Sequence, residues 1–290
     1  MKPFNQYLKS KGYAGSTITN HVRRYNKFNR WLSEKALKAE HLSYSDLLEY
    51  IESCRALGNR PSTIINDLRM VYLLLEQLRE IGKVKENVSK GIRIRNLVHR
   101  LPDEMLTREQ QEQLYNDYKG KGIVGKRNKV IIGLFVYQGV RRIELTRLEC
   151  NHLELREGKI NIPGGRWSNS RTLQLEAHQV IEMYDYVEKI RPLLLAISGT
   201  EKPYLIASSG ASNEVSSVLD KINNELKKQF TFFKSLDHLR QSVITYWTKA
   251  YEIRKAQVLA GHKKVRSTER YRVDNLEELQ ESLNKFHPLQ

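Results

Sequence analysis

Apolar side chains recur at helical spacing through most of the first hundred positions. Ile18, Val22, Tyr25, Phe28 and Leu32 share one stripe, which predicts a helix capped by Ser16 or Thr17. The other face is read as His21, Arg23, Arg24, Lys27 and Arg30. A second helix is expected over about 45–57, with Leu47, Leu48 and Ile51 apolar, broken by Gly58-Asn59-Arg60-Pro61. Ser62 then opens a long helix through Ile64, Ile65, Leu68, Val71, Tyr72, Leu75 and Leu78, closed by Gly82. Its apolar face is wide, the pattern of the central helix of a small bundle.

The pattern changes after residue 100. Thr107-Arg108-Glu109-Gln110 has the form of a capping box and opens a new domain. A buried helix is expected over 128–138, ended by Gly139, with a further helical run over 143–148. Lys159 to Pro163 and Arg171 to Leu175, parted by Gly164-Gly165, read as a two-stranded hairpin. Helices follow at about 178–197, 213–229, 237–251 and 253–259; Leu205-Ile206 is a short strand or loop; 275–286 forms a short amphipathic helix. The expected fold class is mainly α: a four-helix-type domain over 1–100, then an α+β domain over 105–290, mostly helical with a small antiparallel sheet. A linker is expected at about 83–104.

Charge adds a partner class to this outline. Lys plus Arg number 49 against 33 for Asp plus Glu, a net charge of +16. Residues 1–100 hold 19 basic and 9 acidic side chains, so the excess is steepest there. Such a balance fits a polyanion, and nucleic acid is the usual one. Arg23, Arg24, Lys27 and Arg30, with Arg93 and Arg95 in the linker, are candidate DNA contacts; a merely solvated face is the alternative. Cys54 and Cys150 form no CxxC and no Cys/His cluster, which argues against a disulfide scaffold or a zinc site. The N-terminus lacks the apolar core of a signal peptide, and the longest apolar run, over 130–137, is too short to span a bilayer. A soluble, cytoplasmic protein is expected, without membrane, metal or cofactor.

Three segments carry the candidate chemistry: Gly139 to Leu145 (GVRRIEL), Asp237-His238-Leu239-Arg240, and Leu259 to Tyr271 (LAGHKKVRSTERY). Cutting DNA without a metal requires neutralising the non-bridging oxygens of a phosphate, and two arginines from separate segments can clamp both. A tyrosine nucleophile is mostly protonated at neutral pH and needs cations or a base beside it. Tyr271 has Arg266, Arg270 and Arg272 close in sequence and His262 nine residues before it. Taken singly, Arg141 reads equally as a helix-end cap, Arg240 as a core ion pair, His262 as a core histidine and Tyr271 as an ordinary half-buried tyrosine. Their joint order and spacing favour a site.

At these residues the chain resembles the tyrosine recombinases, or phage-type integrases, nearest to the Xer-like members. The family's boxes G-hydrophobic-R-x-x-E-L and L-G-H with T-x-x-Y nine residues on are matched by the first and third segments, the box H-x-x-R corresponds to the second with its histidine displaced, and the resemblance covers essentially the whole chain. It implies a helical core-binding domain and a catalytic domain of the DNA breaking–rejoining type. Arg141 and Arg240 would hold the scissile phosphate, His262 would hydrogen-bond to it, and Tyr271 would form a 3′-phosphotyrosyl link and free a 5′-hydroxyl. The implied partners are double-stranded DNA, further copies in a tetramer on paired sites through the 275–286 helix, and a candidate partner recombinase. Integration, excision, inversion and resolution all fall within this activity.

Three departures stand out. The family's hairpin carries a lysine that protonates the leaving oxygen, but none lies between Lys159 and Lys189, and Arg166 is nearest the expected position. Asp237 stands three before Arg240, with His238 one place later, a rotation of about 100° on a helix. Gln241 follows the arginine where the family usually has histidine. The missing lysine and shifted histidine support one rival, a catalytically weakened DNA-binding accessory protein or repressor on the same scaffold; a type IB topoisomerase-like relaxing activity is a second, since it shares the tyrosine nucleophile and arginine logic.

Overall fold

The computed structural model describes residues 3–94, 104–199, 202–209 and 215–272. The chain divides into two compact units, Met1–His99 and Arg100–Gln290. In the first, the described residues form α1 (Phe4–Ser10), α2 (Gly15–Glu34), α3 (Tyr44–Ala56) and α4 (Pro61–Glu80). Phe28, Leu47, Tyr50, Met70 and Leu74 make their common core. No side chain caps α2. It begins after Ala14, ahead of the expected Ser16 or Thr17 cap, and Thr19 Oγ1 bonds back to the Gly15 carbonyl at 3.1 Å. α3 starts one residue before the expected 45, opened by a capping box: Ser43 N–H donates to Asp46 at 2.8 Å, and Asp46 N–H donates to Ser43 Oγ at 3.2 Å. α4 starts on Pro61, whose fixed φ suits a first turn.

The basic face of α2 is less uniform than its letters suggest. His21 is buried, edge-on to the Tyr13 ring at 5.9 Å. Burial, then Arg24 and Arg69, pull its pKa below the usual histidine value. Asp67, 1% exposed, accepts from Lys27 at 2.9 Å and Arg24 at 3.4 Å across α2 and α4. Beyond α4, Val84, Val88, Ile92 and Ile94 pack on the first core, so the first half of the span expected as linker belongs to it. Asn87 pins that segment. Its Nδ2 donates to the Tyr72 carbonyl (3.1 Å) and Glu76 (2.9 Å), and its Oδ1 accepts from Ser89 N–H (3.1 Å).

The second unit contains α5 (Arg108–Asn116), α6 (Gly122–Val136), α7 (Arg142–Leu145), β1 (Leu153–Glu154), β2 (Lys159–Ile162) and β3 (Arg171–Gln174). α8 (Ala177–Asp185), a π-helical segment (Tyr186–Ile190) and α9 (Arg191–Ser198) occupy the span expected as one helix. α10 (Val215–Gln229), α11 (Leu236–Ala250), α12 (Ile253–Ala260) and α13 (Arg266–Glu269) complete the described part. α7 is a single turn that stops short of Leu148. Leu205 donates to the Leu148 carbonyl at 2.7 Å, beside an isolated bridge between Glu149 and Tyr204. The fold is mainly helical with a small antiparallel sheet, as the sequence pattern indicates, though β1 adds a third strand to the expected hairpin. The expected 275–286 helix lies outside the described residues. No described helix is long and apolar enough to cross a membrane.

One register detail positions the site. Across β2 and β3, Ile160 faces Leu173 and Ile162 faces Arg171, and all four are buried. Alternation therefore places a guanidinium in an apolar row, where it needs an anionic partner.

Candidate active site

Glu144, on α7, is that partner. Arg171 donates from Nη1 to Oε1 at 3.0 Å and from Nη2 to Oε2 at 2.8 Å, a two-pronged pair buried on both sides. Oε2 also accepts the Arg141 backbone N–H at 2.9 Å and lies 3.9 Å from Arg240 Nη1. Burial works against the carboxylate's charge. The Arg171 hydrogen bonds and the surrounding guanidinium charge outweigh it and hold the pKa below the ordinary range.

Arg240 sits within α11, whose first turn Ser235 caps through His238 N–H at 3.1 Å. Its Nη1 donates to the Gly139 carbonyl and its Nη2 to the Ala260 carbonyl at 2.8 Å. Arg240 thus ties the turn that follows α6 to the end of α12. Burial, with Arg171 and Arg141 nearby, pulls its pKa down to about 9 against the pull of Glu144, so it stays charged at neutral pH. Gly261 turns the chain out of α12 at φ +65, and a Cβ there would lie 2.6 Å from Arg171 Nη1. Asn169 N–H donates to the Gly261 carbonyl at 3.0 Å, fastening the hairpin to this turn.

His262 follows at once. Its Nδ1 lies 2.9 Å from the hydroxyl of fully buried Thr268. With Thr268 donating, Nε2 keeps the ring proton. Burial first, then Arg240, Arg141 and Arg171, push its pKa down to about 4, so the ring is neutral at pH 7. The Tyr271 ring stacks on it, centroids 5.9 Å apart and planes 20° from parallel. Tyr271 also packs on the core, and its carbonyl lies 3.0 Å from Thr248 Oγ1, whose single proton is shared with the Thr245 carbonyl at 2.8 Å.

Arg141 is half-buried and donates from Nη1 to the Trp167 carbonyl at 3.2 Å. Trp167 and Arg166 are the corners of a tight turn between β2 and β3, closed by Gly165 N–H on the Ser168 carbonyl at 2.9 Å. The Arg166 guanidinium lies 5.0 Å over the Trp167 ring. Arg141, Arg240, His262 and Tyr271 therefore come together, with Arg166 on the adjoining turn. His238 does not join them: its Nε2 is 2.8 Å from the Glu104 carbonyl, and its buried Nδ1 has no partner. Asp237 is exposed in the first turn of α11. In the other unit Arg23, Arg30 and Arg93 are exposed, Arg24 and Lys27 share Asp67, and Arg95 lies outside the described residues. Among the described residues no three His, Cys, Asp or Glu side chains converge as a metal-ligand set.

The profile of the Phage integrase family matches residues 104–278, well over half of the chain. The chain belongs to the phage integrase family. The N-terminal SAM-like domain of phage integrases matches residues 1–78 as well. As a phage integrase it is a site-specific DNA recombinase, an enzyme that cleaves and rejoins strands. Tyrosine recombinase XerC of Natranaerobius thermophilus is 23% identical over 98% of this chain and 97% of its own length. In fold, this integrase is similar to XerH site-specific recombinase, solved bound to palindromic difH substrate in a post-cleavage complex. The TM-score is 0.73 at 17% identity, over 97% of this chain and 83% of that one. It is also similar to the lambda integrase tetramer solved on a Holliday junction, with a TM-score of 0.66 at 16% identity, over 93% of this chain and 75% of that one.

Arg171, Glu144 and Thr268 shape this integrase's site, and sequence reading assigned them no role. Arg171 was findable, because it falls in phase with Leu173 and Leu175 on the apolar side of its strand. Nothing in the sequence links Glu144 to Arg171.

Proposed function

We propose that Tyr271 is the nucleophile and that Arg141 and Arg240 neutralise the scissile phosphate. The phenolic oxygen attacks phosphorus, the bond to the 5′-oxygen breaks, and a 3′-phosphotyrosyl link and a 5′-hydroxyl result; rejoining runs the same step backwards. His262 donates from Nε2 to a non-bridging oxygen, an interaction that strengthens as charge builds there. A cationic tip at Arg166 meets the leaving side, though a guanidinium stabilises charge far better than it releases a proton. The observation that carries this reading is the His262–Tyr271 stack beside Arg240 and Arg141, four groups from three separate segments sharing one electrostatic environment.

Double-stranded DNA is the substrate in this reading, gripped by exposed Arg23, Arg30 and Arg93 as well as by the catalytic unit, with Arg24 and Lys27 contributing what charge Asp67 leaves. Copies of the chain assemble on paired sites as a tetramer, as the lambda integrase relative does on its junction. The chain divides by role into residues 1–100 for DNA binding and 105–290 for catalysis.

Covalent trapping tests the assignment. Nicked duplexes tiled from the DNA flanking the protein's own gene are mixed with wild type and Tyr271→Phe, then denatured. A slower protein band with wild type alone is the expected result, with DNA binding nearly equal in both. An equal adduct in Tyr271→Phe removes Tyr271 as nucleophile.

A further inference from the structure

The described part of the molecule displays one indole that its own fold does not use. Of the three tryptophans, Trp31 and Trp247 are each 7% exposed in the two cores, whereas Trp167 is 73% exposed. It is not on a loose loop. Gly165 and Ser168 exchange both backbone hydrogen bonds, at 2.9 and 3.4 Å, making Arg166 and Trp167 the corner residues. Ser168 forms a further bridge with His262, and Asn169 donates to the Gly261 carbonyl. Arg141 holds the Trp167 carbonyl itself. The backbone that carries the indole is held from three sides, and Arg141 of the candidate phosphate clamp holds its carbonyl.

We propose that Trp167 forms a base-stacking subsite, engaging a nucleobase next to the scissile phosphate. This rests on the recombinase reading of the same cluster. Its surroundings select this ligand. Arg166 lies over the ring, Arg141 holds its carbonyl, and the Arg147 guanidinium lies against Gly165. An exposed aromatic ring set among cations fits a nucleic acid strand: the cations meet the backbone, and the π-face meets a base of any sequence. Because the turn is already rigid, stacking costs little ordering of the protein. Where the strand bends or opens at the cleavage site, a base loses stacking on one neighbour, and an indole beside it can take that neighbour's place. Trp167 acts as a positioning residue, setting where the strand lies relative to Arg141 and Tyr271.

The test uses the full chain with nicked 30-mer duplexes of arbitrary sequence, read by anisotropy of the labelled DNA and by tryptophan emission. Emission of wild type minus that of Trp167→Phe isolates Trp167. The expected result is loss of more than half of that component on DNA saturation, since stacking on bases quenches indole. Trp167→Ala should bind about 5- to 150-fold more weakly, and Trp167→Phe within about threefold of wild type. The Ala variant should melt with wild type, because the side chain is exposed. Unchanged emission, with equal affinity of wild type and Trp167→Ala for DNA that anisotropy shows to be bound, overturns the proposal. So does a change in self-association alone, which would make the ring a protein contact. If wild type binds no DNA at all, the recombinase reading of the site falls, and this inference falls with it.

Discussion

Glu144 serves Arg171 through both oxygens, accepts the Arg141 backbone and faces Arg240. Glu144→Gln leaves Arg171 and Arg240 buried with no anion. Breaking such a pair from one side costs about 3–5 kcal/mol, which urea unfolding would register. Replacing both Glu144 and Arg171 by leucine should restore much of that loss; if the double variant is as unstable as the sum of the singles, the pair is not coupled. His262 gives a pH signature. Its folded pKa of about 4 lies below the unfolded value near 6.5, so the unfolded chain takes up the proton first. Its share of stability is complete above pH 6.5 and declines as pH falls towards 4. Stability of a His262→Asn variant should vary less across that window; an identical profile would mean the ring is not buried neutral. Motif spacing made this histidine and Tyr271 visible in the sequence, because nine residues of one segment join them. The partners Glu144 and Arg171 lie 27 positions apart in sequence and meet only in three dimensions.

At the scale of elements, the helical stripes of α2 and α4 were legible because apolar period reports burial directly. The polar side was read less well. His21 was placed on the outer face for its polarity, yet it falls three after Ile18 and four before Tyr25, inside the apolar stripe. The same oversight hid Asp67, which precedes Leu68 on a helix with a wide buried face. Asp67 holds Arg24 and Lys27 in place on α2. Asp67→Asn should cost about 1.5–3 kcal/mol through the loss of charged hydrogen bonds. It should also free two cations, steepening the salt dependence of DNA binding by up to about 0.9 in the log–log slope for each phosphate gained. An unaltered slope in the variant would mean that neither side chain meets the DNA. The single turn of α7 had no counterpart in the sequence pattern, whereas the break before α9 did, because Pro192 removes a backbone N–H inside the expected helix.

Across the whole molecule, two separate cores correspond to the break in periodicity near residue 100, and the charge excess of the first hundred residues falls on one of them. The candidate catalytic cluster belongs wholly to the other. Tyr271 is stacked on the histidine of its own chain, eleven residues beyond the end of α12, and packs on its own core. That closeness has a genetic consequence. If Tyr271 is the nucleophile, each copy completes its own set, and no copy lends its tyrosine to a neighbour while this stack holds. Two differently inactivated proteins, Tyr271→Phe and Arg141→Ala, should stay inactive when mixed on a cleavable duplex, with no adduct beyond that of either alone. An adduct that appears only in the mixture would mean that neighbours exchange the residue. If the mixture stays silent, alleles of this kind cannot rescue one another, and a single defective copy in an assembly silences only the strand it sits on.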